Sequence, residues 1–159
     1  MKKTLSILVL IALLLTLTAC GGKKEEPAAP AASVDLVAVM NSFNLGEEMM
    51  TLEISELNDL YFMGFNLDEI KQAAVAMHTS GINADEIIMI ETVSPEAAGR
   101  VKEILEGRYQ EKLNQMENYL PEQYAIIKEC SVMVNGNFVA MIVAPNASEL
   151  VDIYNKSIQ

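Results

Sequence analysis

The segment Phe138-Val139-Ala140-Met141-Ile142-Val143 follows Asn135-Gly136 and holds no polar side chain. Asn-Gly is a strong hairpin signal, so this run is read as a strand entering from a tight turn. Successive side chains of a strand point to opposite faces. Phe138, Ala140 and Ile142 therefore share one face and Val139, Met141 and Val143 the other. Both faces are apolar, so the sheet holding this strand needs a covering layer on each side.

The neighbouring patterns supply the rest of an α+β domain. A short helix over 34–43 starts at Ser33, and a second follows Ser55 from Glu56 to about Met63, stopped near Gly64. Glu47 to Ile54 is ambiguous, with a short extended piece as one reading. Asn66 with Glu69 three residues later resembles a capping box for a single turn. Strands are predicted over Lys71–His78 and Glu86–Val93, the second carrying Ile87-Ile88-Met89-Ile90. Ser94-Pro95 opens a long helix, whose apolar stripe is Val101, Ile104, Leu105, Tyr109, Leu113, Met116 and Leu120. Pro121 ends it. A third strand is expected over Tyr124–Val134 and a fourth over Asn137–Ala144, and Asn146 caps a last helix.

The order strand, strand, helix thus occurs twice. It predicts duplicated ββα units forming a four-stranded, mostly antiparallel sheet, with two long helices on one face and short N-terminal helices before them. The second face then falls to the N-terminal segment, through Leu57, Leu60, Tyr61, Phe62 and Phe65, or to a partner.

The N-terminus predicts export. Met1-Lys2-Lys3 is basic, Thr4 to Thr18 is apolar or hydroxylic, and Leu17-Thr18-Ala19-Cys20 follows. A basic start, an apolar stretch and a small residue at the cut describe a secretory signal, and the apolar run is short for a membrane-spanning helix, which needs about 20 residues. The cysteine after Leu-x-Ala resembles the bacterial lipobox. That likeness implies cleavage between Ala19 and Cys20, a diacylglyceryl group on the Cys20 thiol, and in some such proteins an N-acyl chain as well. Two acyl chains anchor far more firmly than one. Expected boundaries are a signal peptide over 1–19, a lipidated cysteine and flexible Gly/Pro/Ala-rich tether over 20–33, and one domain over 34–159. The expected location is the outer face of a cell membrane.

Charge narrows the partners. Formal net charge is −11, and loss of Lys2 and Lys3 leaves nine basic residues against 22 acidic ones. That balance argues against nucleic acid and against a polybasic grip on anionic lipid. Lipid on Cys20 would leave Cys130 without a disulfide partner.

Taken over the whole chain, the lipobox at Leu17–Cys20, Asp59-Leu60-Tyr61 before the turn at 66–70, Tyr119-Leu120-Pro121-Glu122-Gln123-Tyr124 and the hairpin at Asn135-Gly136-Asn137-Phe138 resemble a family of small bacterial lipoproteins named domain of unknown function 4358. The resemblance implies an exported, anchored single-domain protein and brings no activity, cofactor or catalytic residue.

Nor do the residues assemble a recognisable reactive group. His78 lacks a second ligand at metal spacing. Cys130 alternates with Val132 and Val134 and reads as a core residue; a Cys130–His78 pair would require adjacent strands. The pairs Glu47-Glu48, Asp68-Glu69 and Asp85-Glu86 read as solvated faces and helix starts. The expectation is therefore a non-enzymatic protein without metal or cofactor. Tyr61, Phe62, Phe65, Tyr119 and Tyr124 are the candidate interaction surface, since aromatic side chains near turns serve either interfaces or cores. The leading function is binding of a protein partner in the cell envelope. The alternatives are capture of a small ligand for a transporter and a hydrolase of unrecognised type.

Overall fold

The computed structural model describes residues 34–159, which form one compact unit. The expected signal peptide over 1–19, the expected cleavage pair Ala19–Cys20 and the expected tether over 20–33 lie outside the described residues. Helix α1 (Leu36–Ser42) is followed by β1 (Met49–Leu52) and α2 (Ile54–Tyr61). After a 3-10 turn at Leu67–Glu69 come β2 (Ile70–His78), β3 (Glu86–Thr92) and the long α3 (Pro95–Met116). Helix α4 (Pro121–Lys128), β4 (Val132–Asn135), β5 (Phe138–Val143) and α5 (Ala147–Ser157) complete the domain. It is an α+β fold around an antiparallel sheet of order β1-β2-β3-β5-β4.

Local chemistry explains the ends of these elements. Asp35 caps α1 by accepting from the amides of Val37 and Ala38, each at 3.0 Å, while Ser33, the expected start, lies outside the described residues. Glu53 and Glu56 form a capping box at the start of α2. Ser94 accepts from the Ala97 amide at 3.2 Å, with Pro95 at the first position of α3. The hairpin between β4 and β5 is present, but its two-residue loop is Gly136-Asn137. Asn135 pairs with Phe138, and Gly136 supplies the positive φ of 58°.

Three expectations are corrected. The sheet has five strands rather than four, because Met49–Leu52 pairs along Val75–His78 of β2. Tyr124–Lys128 is helical, and β4 begins only at Val132. The long helix stops at Met116, before Pro121, which instead starts the next helix, since a fixed φ and a missing N–H suit a first helical position. Tyr109 then ties α4 to α3 by donating to the Ile127 carbonyl at 3.1 Å.

The third correction concerns the layers. Helix α3 covers the face bearing Val75, Ile88, Ile90, Val139 and Met141, packed with Leu57, Phe65 and Leu105. Helices α1 and α5 cover the opposite face, where Leu36, Met40, Leu150 and Tyr154 meet Ala76, Ile87, Met89 and Ile142. The two long helices therefore lie on opposite faces. The apolar β3 and β5 demand this, because two helices on one side would leave the other wet. A two-fold axis that exchanges neighbouring antiparallel strands keeps both helices on one side, so the two strand-strand-helix units are not related by one. The N-terminal segment is divided accordingly: α1 goes to one core, and Leu57 and Phe65 to the other.

Candidate functional site: a buried ion cluster beneath an open pocket

Glu86 opens β3 on the α3 side of the sheet, in step with Ile88 and Ile90, and is fully buried. Two cations of α3 reach it. Arg108 donates from Nε to Oε1 at 3.1 Å and from Nη2 to Oε2 at 3.0 Å, and Lys112 Nζ lies 2.7 Å from Oε2. Their side chains are 5% and 8% exposed. Lys112 also donates to the Ala84 carbonyl at 3.1 Å, and Arg108 Nη1 donates to Glu111 Oε2 at 3.2 Å. A buried carboxylate demands paired charge and filled lone pairs, and this one has both. Burial by itself would pull the Arg108 guanidinium down, but the bonds and charge of Glu86 outweigh it and the group holds its proton more tightly than usual.

A pocket of 440 Å³ opens above the cluster. Its sides are α2, the end of β1, the loop between β2 and β3, and the C-terminal half of α3. The Tyr61 ring covers the guanidinium, with Arg108 Cζ 3.9 Å from the ring centre. Asp85 stands beside the cluster with a buried Oδ1 that has no hydrogen-bond partner among the described residues. Burial pushes its carboxyl up, against the opposing charges of His78 and Lys112.

The five aromatic candidates have different environments. Phe65 is 6% exposed and belongs to the core beneath α3. Tyr61 is half-buried over Arg108, and Tyr124 is half-buried with Lys128 Nζ 5.4 Å from its ring centre. Phe62 and Tyr119 are 91% and 75% exposed. Phe62 also ends α2 in the left-handed conformation, at φ 50° and ψ 43°.

His78 and Cys130 are not joined by a hydrogen bond. The imidazole accepts from the Ser80 amide at Nδ1 (2.9 Å) and meets Glu48 at Nε2 (3.0 Å). The thiol donates to the Ile126 carbonyl at 3.2 Å, and burial pushes its pKa up. The acidic pairs separate as well: Glu48 meets His78, Glu69 meets Arg100, and Glu86 lies in the ion cluster. Among the described residues, no group of three or more His, Cys, Asp or Glu side chains could hold a metal ion. No helix among them is long and apolar enough to cross a membrane.

Sequence reasoning missed Arg108 and Lys112, although their spacing carried a signal. The buried positions of α3 are Ala97, Ala98, Val101, Leu105, Arg108, Lys112 and Met116. The two cations thus continue the inward-facing series at helical intervals of three and four. A basic residue at such a position calls for a buried acid, and Glu86 stands in phase with Ile88 and Ile90 on the strand before the helix.

Fold and site together define an α+β domain with one face of its sheet pinned to a helix by a buried carboxylate shared between two cations. Residues 41–144 match the family described as Domain of unknown function (DUF4358), and the chain belongs to that family. No curated protein and no solved structure matches the chain.

Proposed function

We propose that this protein is a non-enzymatic recognition module, held at the outer face of a membrane by lipid on Cys20, that docks a protein partner through the exposed end of α2. The single observation that carries the docking role is Phe62. A bulky side chain in the left-handed region costs about 1 kcal/mol or more, and the ring is 91% exposed. The left-handed turn closes α2, with the Phe62 and Met63 amides on the Asn58 carbonyl, but glycine or asparagine would make it at less cost, and the exposed ring gains no burial. A residue that costs stability while presenting an aromatic surface is what an interface anchor looks like before its partner arrives. The membrane location rests on Leu17-Thr18-Ala19-Cys20 ending an apolar run.

The test is photo-crosslinking in intact cells from a probe placed at Asp59, comparing the natural chain with Phe62→Asn. Asparagine accepts the left-handed conformation, so the variant keeps or gains thermal stability. The reading predicts one abundant envelope partner, lost in the variant. Undiminished capture by a folded Phe62→Asn chain would remove Phe62 from the interface.

A further inference from the structure

The pocket above the ion cluster has donors that the cluster does not use. Arg108 places three of its five N–H groups on Glu86 and Glu111. Lys112 places two of its three on Glu86 and the Ala84 carbonyl. Both residues line the pocket while their side chains are almost wholly buried. Unused donors on desolvated cations favour an acceptor that carries charge. One part of the wall is of a different kind. Met50, Leu60, Met77 and Met116 line it, and Tyr61 roofs the guanidinium. Thioether side chains adapt to varied apolar shapes. The polar loop at 78–85 and the ion cluster share the pocket with this apolar strip, and polar groups placed beside an apolar wall describe a site for an amphipathic small molecule.

The acids around the cations set the charge of its head group. Glu86 is sealed beneath them. Asp85 lies to one side, with a carboxyl whose ionisation burial already opposes. Glu111 sits at the rim, 54% exposed, and touches Arg108 only at Nη1. A dianionic phosphate would bring two more negative charges among three carboxylates, whereas a carboxylate brings one. Glu111 already shows the geometry, with a carboxylate oxygen 3.2 Å from Nη1. Its other oxygen accepts from Gln115 at the surface, at 3.1 Å, so it can leave the guanidinium for water at little cost. We infer that the pocket binds a monocarboxylate bearing an apolar chain, whose head group replaces Glu111 on Arg108 and whose chain lies along Leu60 and the three methionines. This inference does not depend on the docking role of Phe62.

The methionines report on it directly. In the full chain, purified from cells into lipid nanodiscs and labelled at the methionine methyls, sodium octanoate is titrated below its micellar concentration and followed by NMR. Saturable shifts of Met50, Met77 and Met116 are expected, with a dissociation constant of about 1 mM or tighter. Octanol and octyl phosphate should each bind about tenfold more weakly, the first for want of charge and the second for excess of it. Glu111→Gln removes the competing carboxylate and should tighten octanoate binding about fivefold. Leu60→Asp, at a position 60% exposed and therefore harmless to the fold, should weaken it about tenfold. Phe62→Asn should leave it unchanged, which separates this site from partner docking. Static methionine signals overturn the proposal, as does octanol or octyl phosphate binding as tightly as octanoate. Failure of Glu111→Gln to tighten binding overturns the replacement of Glu111.

Discussion

The ring of Tyr61 lies over the guanidinium of Arg108 at 3.9 Å, on the side of the cation that faces the pocket wall of α2. This contact joins α2 to α3 at a point where Arg108 is already bound to β3 through Glu86. One cation thereby links three elements. Cation–π contacts of this kind contribute about 0.5–2 kcal/mol, with the larger values where water is excluded. Tyr61→Phe should retain nearly all of that in urea unfolding, since the hydroxyl's one contact is a long one to Met77 Sδ at 3.9 Å. Tyr61→Leu, which fills much of the space without the π face, should lose about 1 kcal/mol. Equal stability of the two variants would mean the ring acts only as apolar cover.

Glu86→Gln should be among the most damaging single changes in the domain. It leaves Arg108 and Lys112 buried without their shared counter-charge, and breaking a buried ion pair from one side costs about 3–5 kcal/mol. Replacing all three together by Leu, Met and Met should cost much less, because no unpaired charge remains. Chemical unfolding of the single and triple variants decides this. A triple variant less stable than Glu86→Gln would show that the cluster is a net source of stability.

Asp85→Asn should stabilise the domain at neutral pH and do nothing in acid. Burial raises this carboxyl above its ordinary value of 3.8, so the folded state binds the proton more tightly than the unfolded chain. Stability from this group is complete below 3.8 and declines as pH rises through the raised folded value. The amide removes that decline. Melting temperatures of the two proteins should coincide near pH 3 and separate by pH 7, with the variant higher. A gap that is constant with pH would assign the change to packing.

Tyr154→Phe should raise stability by about 1 kcal/mol. The Tyr154 side chain is buried beneath α5, and its hydroxyl has no hydrogen-bond partner among the described residues. A buried polar group left unpaired costs about 1–3 kcal/mol, and burial holds this phenol strongly protonated. Lower stability of the phenylalanine variant in denaturant melts would contradict the prediction.

Tyr119→Ala and Cys20→Ala probe the proposed role. Tyr119 is 75% exposed in the turn between α3 and α4, so its loss should leave the melting temperature unchanged, and capture through the end of α2 should survive it. Cys20→Ala should abolish labelling by radioactive palmitate and leave the precursor uncleaved. Equal labelling of variant and natural chain would end the lipid-anchor reading.

Much of this architecture was legible in the residues. Asn135-Gly136 located the hairpin, Ser94-Pro95 the start of α3, and the alternation around Val75 and the apolar run Ile87–Ile90 the central strands. The requirement for cover on both faces was also readable from Phe138–Val143. What covers each face was not, because α1 and α5 are apolar stripes whose side depends on chain crossings that no local pattern encodes. Tyr124–Lys128 misled for a related reason. Its Tyr-Ala-Ile-Ile run suits a strand or a buried helix equally, and the decisive clue was Pro121 acting as a helix start. Arg108 and Lys112 escaped notice because charge hid their place in the inward-facing series. The open pocket could not be seen at all, since it arises where four separate segments meet.

The face built by α1 and α5 draws on opposite ends of the domain: Leu36 and Phe43 come first, Tyr154 and Ile158 last. The last helix packs on β5, so Ala140 and Ile142 lack that cover until α5 has arrived. A chain still being synthesised, or one clipped before α5, would therefore carry an unsealed hydrophobic wall, the condition under which partly folded proteins aggregate or engage chaperones. Docking of α5 is thus the step that turns this domain from a sticky intermediate into a sealed one.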